Sequence, residues 1–405
     1  MSATASGTRL DGVGWQDLPA PSVDLDDLVA PSAGPRGGGV DAARAPVGGV
    51  RPATPDGELR ALADGVRAEG ALPDRAATAS AEGAIRALAT PPGALGHLGA
   101  LAATLAGIAG ACPPPIPARP ALVVAAGDHG IHAQQVSPWP QAISATVARL
   151  LAEGRAGASA MAAVARARTV VLDVGLATAV GDHPRLVAAR VVEGTRDATT
   201  GAALTPDQGA RAILVGARVT TALVGQGCDL LVVGDVGIGN TTSSAALIAA
   251  LTDADPGELT GRGSGIDAVM LARKRAVVAQ LAGGARGREP LAQLAAIGGA
   301  EHAALVGVVL AAANARVPVL LDGVVTDAAA LIATRLAPPV GGILLAGHRS
   351  PEPAAGVALD ALGLRPLLDL ELRLGEGSGA LLAVPTVIAA ARLLTDVATL
   401  AEILG

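Results

Sequence analysis

The chain has 405 residues, a formal net charge of −6, no phenylalanine or tyrosine, and two tryptophans as its only aromatic side chains. Its 53 glycines and 28 prolines lie well above ordinary usage, yet hydrophobic residues still reach 51 %. That much apolar surface excludes a wholly disordered chain. The missing rings exclude a base-stacking nucleic-acid binder, and the acidic charge removes the basic footprint such proteins carry.

In chain order, residues 1–54 are rich in Pro, Gly, Ala and Asp without periodicity and predict a flexible tail. Helical periodicity begins at Gly57 with GELRALADGVRAEG, then AEGAIRALAT and HLGALAATLAGI. No charged residue stands between Arg86 and Arg119. That stretch is mostly Ala and Gly and is broken by Pro91, Pro92 and Pro113 to Pro115, so it is not read as a membrane span. After Pro120 come short apolar runs ending in Gly or Asp: 121–130, 169–175, 229–237, 317–323, 342–348 and 366–370. Each is strand-length and unalternated, as strands buried on both faces should be. Helix-period segments separate them. The pattern predicts an α/β chain with a parallel, doubly wound sheet, whose ligands sit beyond the carboxyl ends of the strands. Cys112 and Cys228 read as free thiols, which fits a reducing, cytoplasmic setting.

The residues just after the strands carry the chemistry. Gly234–Thr242 reads GDVGIGNTT, and its glycines and hydroxyls suit a mononucleotide phosphate or simply a tight turn before a helix. A dinucleotide fingerprint would need a third glycine where Thr242 stands. Gly261–Asp267, GRGSGID, is a second glycine-rich turn and leads into a helix carrying Lys274. Asp128, His129 and His132 offer the start of a metal site, but no further cluster completes one. Hydrogen-bond ordering of the strand-end loop is the expected role for Asp128 and His129. In GHRSPE, His348, Arg349 and Ser350 suit a phosphate or ribose, or else Ser350 caps a helix with Pro351 at its first position. In RLGEGSG, Glu376 stands between Gly375 and Gly377. It is either a solvated turn residue or a general base at the edge of an apolar cleft.

Taken in order, GDHGI, GDVGIGNTT, GRGSGID, GGAEHAALVG, LLDGVVTDAAAL, GHRSPEP and RLGEGSGALLAVP resemble the nicotinate-nucleotide:5,6-dimethylbenzimidazole phosphoribosyltransferases of cobalamin assembly. TPPGALGHLGALA resembles that family's early Pro-x-Gly-Ala/Ser-Leu-Gly segment. The resemblance runs from about Gly57 to the C-terminus. It implies a Rossmann-like three-layer domain at about 118–375, a smaller helical part from both chain ends within 55–405, and a homodimer. It implies transfer of the phosphoribosyl group of nicotinate mononucleotide to a benzimidazole nitrogen with inversion at the anomeric carbon, without cofactor, metal, nucleic acid or membrane. Glu376 matches the family's catalytic glutamate, the base for the benzimidazole N–H. Asp235 falls where many relatives carry Glu and would give electrostatic support. Substrates would meet Gly237, Gly239, Asn240, Thr241, Gly263, Ser264, Gly265, Lys274, His348, Arg349, Ser350, Gly375 and Gly377. The segment VSPWPQAISATV resembles a stretch over the base pocket and brings in Ser137 and Trp139, with Thr146 where relatives often have Gln. The base would lie against Trp139 and aliphatic side chains such as Val136 and Leu374. Other acceptors (another benzimidazole, a purine or a phenol) and a catalytically silent binding subunit are the competing readings.

Overall fold

The computed structural model describes residues 14–28, 54–68, 72–263 and 265–405. Six parallel strands form one sheet: β1 (Pro120–Gly127), β2 (Arg168–Gly175), β3 (Leu186–Ala188), β4 (Leu230–Val236), β5 (Val319–Leu321) and β6 (Leu344–Ala346), in the order β3-β2-β1-β4-β5-β6. The order reverses between β1 and β4, so a crevice opens beyond their carboxyl ends. The predicted runs at 121–130, 169–175, 229–237, 317–323 and 342–348 all contain strands. The run at 366–370 does not: Leu368 makes a single bridge to His348, because β6 is too short to support a longer ladder. β3 lies outside the predicted runs, as a three-residue edge strand that is only partly buried.

Alternate side chains of each strand enter different layers. Ala121, Val123 and Ala125 of β1 pack with Leu231 and Val233 of β4 on one face, among the helices Pro206–Gly225, Asn240–Thr252, Ala300–Asn314 and Val324–Leu336. Leu122, Val124 and Ala126 pack on the other with Leu230 and Val232, against Gly96–Ala109, Ala142–Ala152, Gly157–Ala165 and Ser378–Asp396. The second layer therefore combines helices from both ends of the chain. Small residues replace rings by letting helices approach. At Gly307, facing the Pro206–Gly225 helix, an added Cβ would lie 2.7 Å from the Ile213 carbonyl carbon. Ser378–Asp396 is the one described helix long and apolar enough to cross a membrane, and half of its most apolar window is buried inside the fold.

The expected flexible tail is corrected over residues 14–28. Leu25 and Leu28 are buried in the core. Trp15 Nε1 donates to the Pro120 carbonyl at 2.7 Å, and its ring lies under the Arg168 guanidinium at 5.1 Å. Arg218 joins Asp27 at 2.6 Å and Glu58 at 3.0 Å. Apolar anchors and a cation–π contact fix a segment whose composition alone signals none. The rest of 1–54 lies outside the described residues, except Thr54.

Candidate active site

The loops after β1, β4, β5 and β6 and the turn before Ser378–Asp396 enclose a cavity of about 470 Å³. Close backbone approaches build its floor. A Cβ on Gly237 would collide with the Gly127 carbonyl, and one on Gly234 would lie 2.5 Å from the Glu376 carbonyl carbon. Gly375, Glu376 and Gly377 all have positive φ, at 74°, 64° and 83°. Glycine adopts this freely, but for a glutamate it is strained, a feature that concentrates at functional sites.

Two elements hold this turn. Asp322, after β5, accepts from Gly377 N at 3.3 Å, Gly379 N at 2.8 Å and Ala380 N at 3.0 Å, capping the Ser378–Asp396 helix. Glu376 Oε2 accepts from Ala158 N at 3.1 Å, in the first turn of Gly157–Ala165. Burial pushes the Glu376 carboxyl up, Asp322 adds to the rise, and the Ala158 bond only partly offsets it. Asp235 accepts from Asn240 Nδ2 at 2.6 Å. Burial, then Asp322, Glu301 and Glu376, raise it well above the usual carboxylate range. Buried Asp327 is raised likewise, by burial and then by Asp322 and Asp235. Asp235, Asp322 and Glu376 thus crowd one part of the cavity lining, where a cation developing beside them would draw them into their ionised forms.

The opposite wall suits an anion. Lys274 is 1 % exposed, and Nζ donates to Thr241 Oγ1 at 2.9 Å, its one hydrogen bond among the described residues. Burial lowers its pKa, and Glu352 works against that. Glu352 also accepts from Gly263 N at 2.9 Å and so pins the GRGSGID turn beside the lysine. Val136, Trp139, Ile143, Val147, Val324 and Leu374 supply a largely aliphatic part of the same lining. A buried carboxylate that shares a cavity with apolar side chains and a buried lysine can take a proton from a ring N–H held against the apolar part.

Of the predicted residues, Asp235, Gly237, Gly239, Asn240, Thr241, Gly263, Lys274, His348, Ser350, Gly375, Glu376, Ser137, Trp139 and Leu374 line the cavity, as does Val136. Arg349 does not: its guanidinium turns to Asp369 at 3.2 Å on the exposed side. Gly265 and Gly377 also lie off the lining, and Gly377 acts instead by donating to Asp322. Ser264 lies outside the described residues. Thr146 is exposed, and its hydroxyl bonds back to the Ala142 carbonyl at 3.3 Å. Glu352, not Ser350, occupies the cap position of the Pro353–Leu362 helix, with Pro353 first.

Asp128 and His129 order the loop after β1, as expected. Asp128 accepts from Ser144 Oγ at 2.5 Å, Ala177 N at 3.0 Å and Ile238 N at 3.3 Å. His132 turns to the Trp139 carbonyl at 3.0 Å, so Asp128, His129 and His132 do not share a ligand position. Among the described residues, the donors that do converge are His129, Glu301 and His302. Sequence reasoning missed Asp322, Glu352 and Ala158. The first two stood in quoted motifs, LLDGVV and GHRSPEP. Ala158 lies in an unpatterned run of small residues and gave no signal.

Residues 71–403 match a family model described as phosphoribosyltransferase. A nicotinate-nucleotide–dimethylbenzimidazole phosphoribosyltransferase of Salinispora tropica is 49 % identical over 342 residues, covering 80 % of this chain and 94 % of that protein. The enzyme of that name from Thermus thermophilus is 43 % identical over 308 residues, covering 76 % and 92 %. The crystal structure of CobT from Thermus thermophilus matches with a TM-score of 0.79 at 42 % identity, over 81 % of this chain and 98 % of that one. With the parallel sheet, the strand-end cavity and the ordered motifs, these likenesses establish that the chain belongs to the nicotinate-nucleotide–dimethylbenzimidazole phosphoribosyltransferase family.

Proposed function

We propose that the protein transfers the phosphoribosyl group of nicotinate mononucleotide to a nitrogen of 5,6-dimethylbenzimidazole, releasing nicotinate and α-ribazole 5′-phosphate for cobalamin assembly. The observation that carries this reading is Glu376, a buried carboxylate with a raised pKa that lines one cavity together with aliphatic side chains and the buried Lys274. The donor phosphate lies against Lys274, Thr241, Gly263 and the Gly237–Asn240 loop, with His348 and Ser350 toward the ribose. The base lies against Trp139, Val136 and Leu374, near Ser137. Glu376 takes the ring N–H proton as the other ring nitrogen attacks the anomeric carbon from the face opposite the pyridinium. The C–N bond to nicotinate breaks with its electron pair, which quenches the pyridinium charge. Attack from that face inverts β to α. Asp235 and Asp322 stabilise the positive charge that develops on the ribosyl ring.

The enzyme acts as a homodimer in the cytoplasm, a compartment consistent with its free Cys112 and Cys228. Its large α/β part spans about 118–375, and helices from both ends form the smaller part. Incubation with nicotinate mononucleotide and 5,6-dimethylbenzimidazole tests the reading: nicotinate and the α-nucleotide appear together by chromatography and mass spectrometry. Glu376→Gln lowers the rate about 10²–10⁴-fold, the usual weight of a general base. Turnover with a purine or phenol and none with any benzimidazole would replace the acceptor.

A further inference from the structure

Behind the cavity floor lies a closed polar cluster that the transfer chemistry leaves unexplained. Glu301, in the first turn of Ala300–Asn314, is fully buried. His129 Nε2 lies 2.6 Å from Glu301 Oε1, and His302 Nδ1 lies 2.7 Å from the same oxygen. Burial opposes ionisation of Glu301, but the two imidazoles outweigh it and hold the carboxyl well below its usual range.

Two arms run from this carboxylate to the cavity loop. His129 Nδ1 lies 2.9 Å from Ser243 Oγ, and its backbone N–H donates to the Ile238 carbonyl at 3.2 Å. His302 Nε2 lies 2.8 Å from Ser244 Oγ, which lies 2.8 Å from the Asn240 carbonyl. A carbonyl only accepts, so the single Ser244 proton goes to Asn240 and Ser244 accepts from His302 Nε2–H. Asn240 Nδ2 in turn donates to Asp235 Oδ2 at 2.6 Å. Glu301 thus lies against His302 Nδ1, which accepts from Gly299 N at 3.2 Å, and the contacts continue from His302 Nε2–H to Ser244, from Ser244 to the Asn240 carbonyl, and from the Asn240 side-chain amide to Asp235.

Hydrogen bonds hold most of this cluster, and Glu301 Oε2 is its one buried oxygen without a partner among the described residues. All four imidazole nitrogens have hydrogen-bond partners, and a Cβ on Gly299 would lie 2.5 Å from Glu301 Oε1 and from His129 Cε1. Only glycine at 299 lets the carboxylate sit there. We infer that Glu301 is a positioning residue: through His302, Ser244 and Asn240 it orients the Asp235 carboxylate at the ribosyl centre. This rests on the transfer reaction proposed above.

A double-mutant cycle tests it, with kcat and KM measured for both substrates. Glu301→Gln keeps the side-chain size but drops the charge, and lowers kcat about 10–100-fold, the range for a hydrogen bond to a charged group. Both KM values stay within about threefold, since the donor and base contacts are elsewhere. In an Asp235→Asn background the same change has no further effect on kcat, because both act through one carboxylate. Ser244→Ala cuts only the second arm and gives the same non-additivity with a smaller loss, which decides the matter if Glu301→Gln fails to fold. Additive losses, an unchanged kcat, or a stoichiometric metal ion lost with Glu301→Gln would overturn the inference. A wild-type protein without turnover would instead count against the transferase reading itself.

Discussion

Replacing Gly234 with alanine moves the proposed base without touching its side chain. Central strand β4 passes directly under the Glu376 turn. The added Cβ would sit 2.5 Å from the Glu376 carbonyl carbon and 2.7 Å from its oxygen. Ordinary contact begins at 3.4 Å, so the turn must retreat by about 0.9 Å. Neither partner has slack. β4 is bonded to β1 and β5 on its two sides, and the turn is held by the Asp322 bonds to Gly377, Gly379 and Ala380. A misplacement of ~1 Å costs about 100-fold in rate. The overpacking itself costs about 1–3 kcal/mol. The expected result is a fall in kcat of roughly 100-fold with a melting temperature only several degrees lower. Initial rates of nicotinate release, across a range of both substrates, and scanning calorimetry measure the two. Gly283→Ala is the control. It sits in the Ala268–Ala285 helix with nothing within 4 Å of the added Cβ, and should leave the rate intact while stabilising the fold by about 0.5–1 kcal/mol. Gly234→Ala at full kcat would refute the claim that β4 sets the position of Glu376.

The pH dependence follows from the raised Glu376 carboxyl. Only the ionised form accepts a proton, so kcat/KM falls as pH drops through a midpoint above the ordinary value of 4.5. That limb vanishes in Glu376→Gln, and a midpoint at or below 4.5 in the wild type would exclude the assignment. Trp139→Leu weakens acceptor binding about 3–10-fold by loss of one ring stack and leaves the KM for nicotinate mononucleotide unchanged; unchanged acceptor affinity would mean that the ring is unused. Deleting residues 1–28 removes the Trp15 and Arg168 contacts and buried Leu25 and Leu28. We expect a melting temperature several degrees lower and an unchanged kcat, because the strap grips β1 at its amino end, away from the cavity. A large fall in kcat at a temperature where the truncated protein is fully folded would contradict that placement.

Much of the fold was legible because its determinants are local. Unalternated branched runs such as ALVVAAG suit strands buried on both faces, and GDVGIGNTT announces itself by the glycines a close backbone approach requires. The failures share one cause. β3 is three residues of partly exposed edge, and 366–370 lost its strand because its neighbour β6 stops after Ala346. Whether an apolar run becomes a strand depends on the partner available, which lies far away in sequence. The same holds for the strap. Nothing in the sequence around Trp15 names Pro120 and Arg168 as its partners.

The site divides along similar lines. By itself the sequence determined the reactive groups: a glutamate between glycines, a lysine beyond a glycine-rich turn, a nearly ring-free core, and motifs whose order resembles one enzyme family. Tertiary structure decided which of them face one another. It turned Arg349 outward to Asp369, made Asp322 the cap that holds the Glu376 turn, and brought an unremarked backbone N–H of Ala158 to Glu376 Oε2. It also placed Glu301 against His302, whose contacts continue through Ser244 and Asn240 to Asp235. Hydrogen bonds and desolvation act over a few ångströms between residues as distant as Ala158 and Glu376, 218 positions apart, so no local pattern encodes them; the packing of strands against both helical layers does.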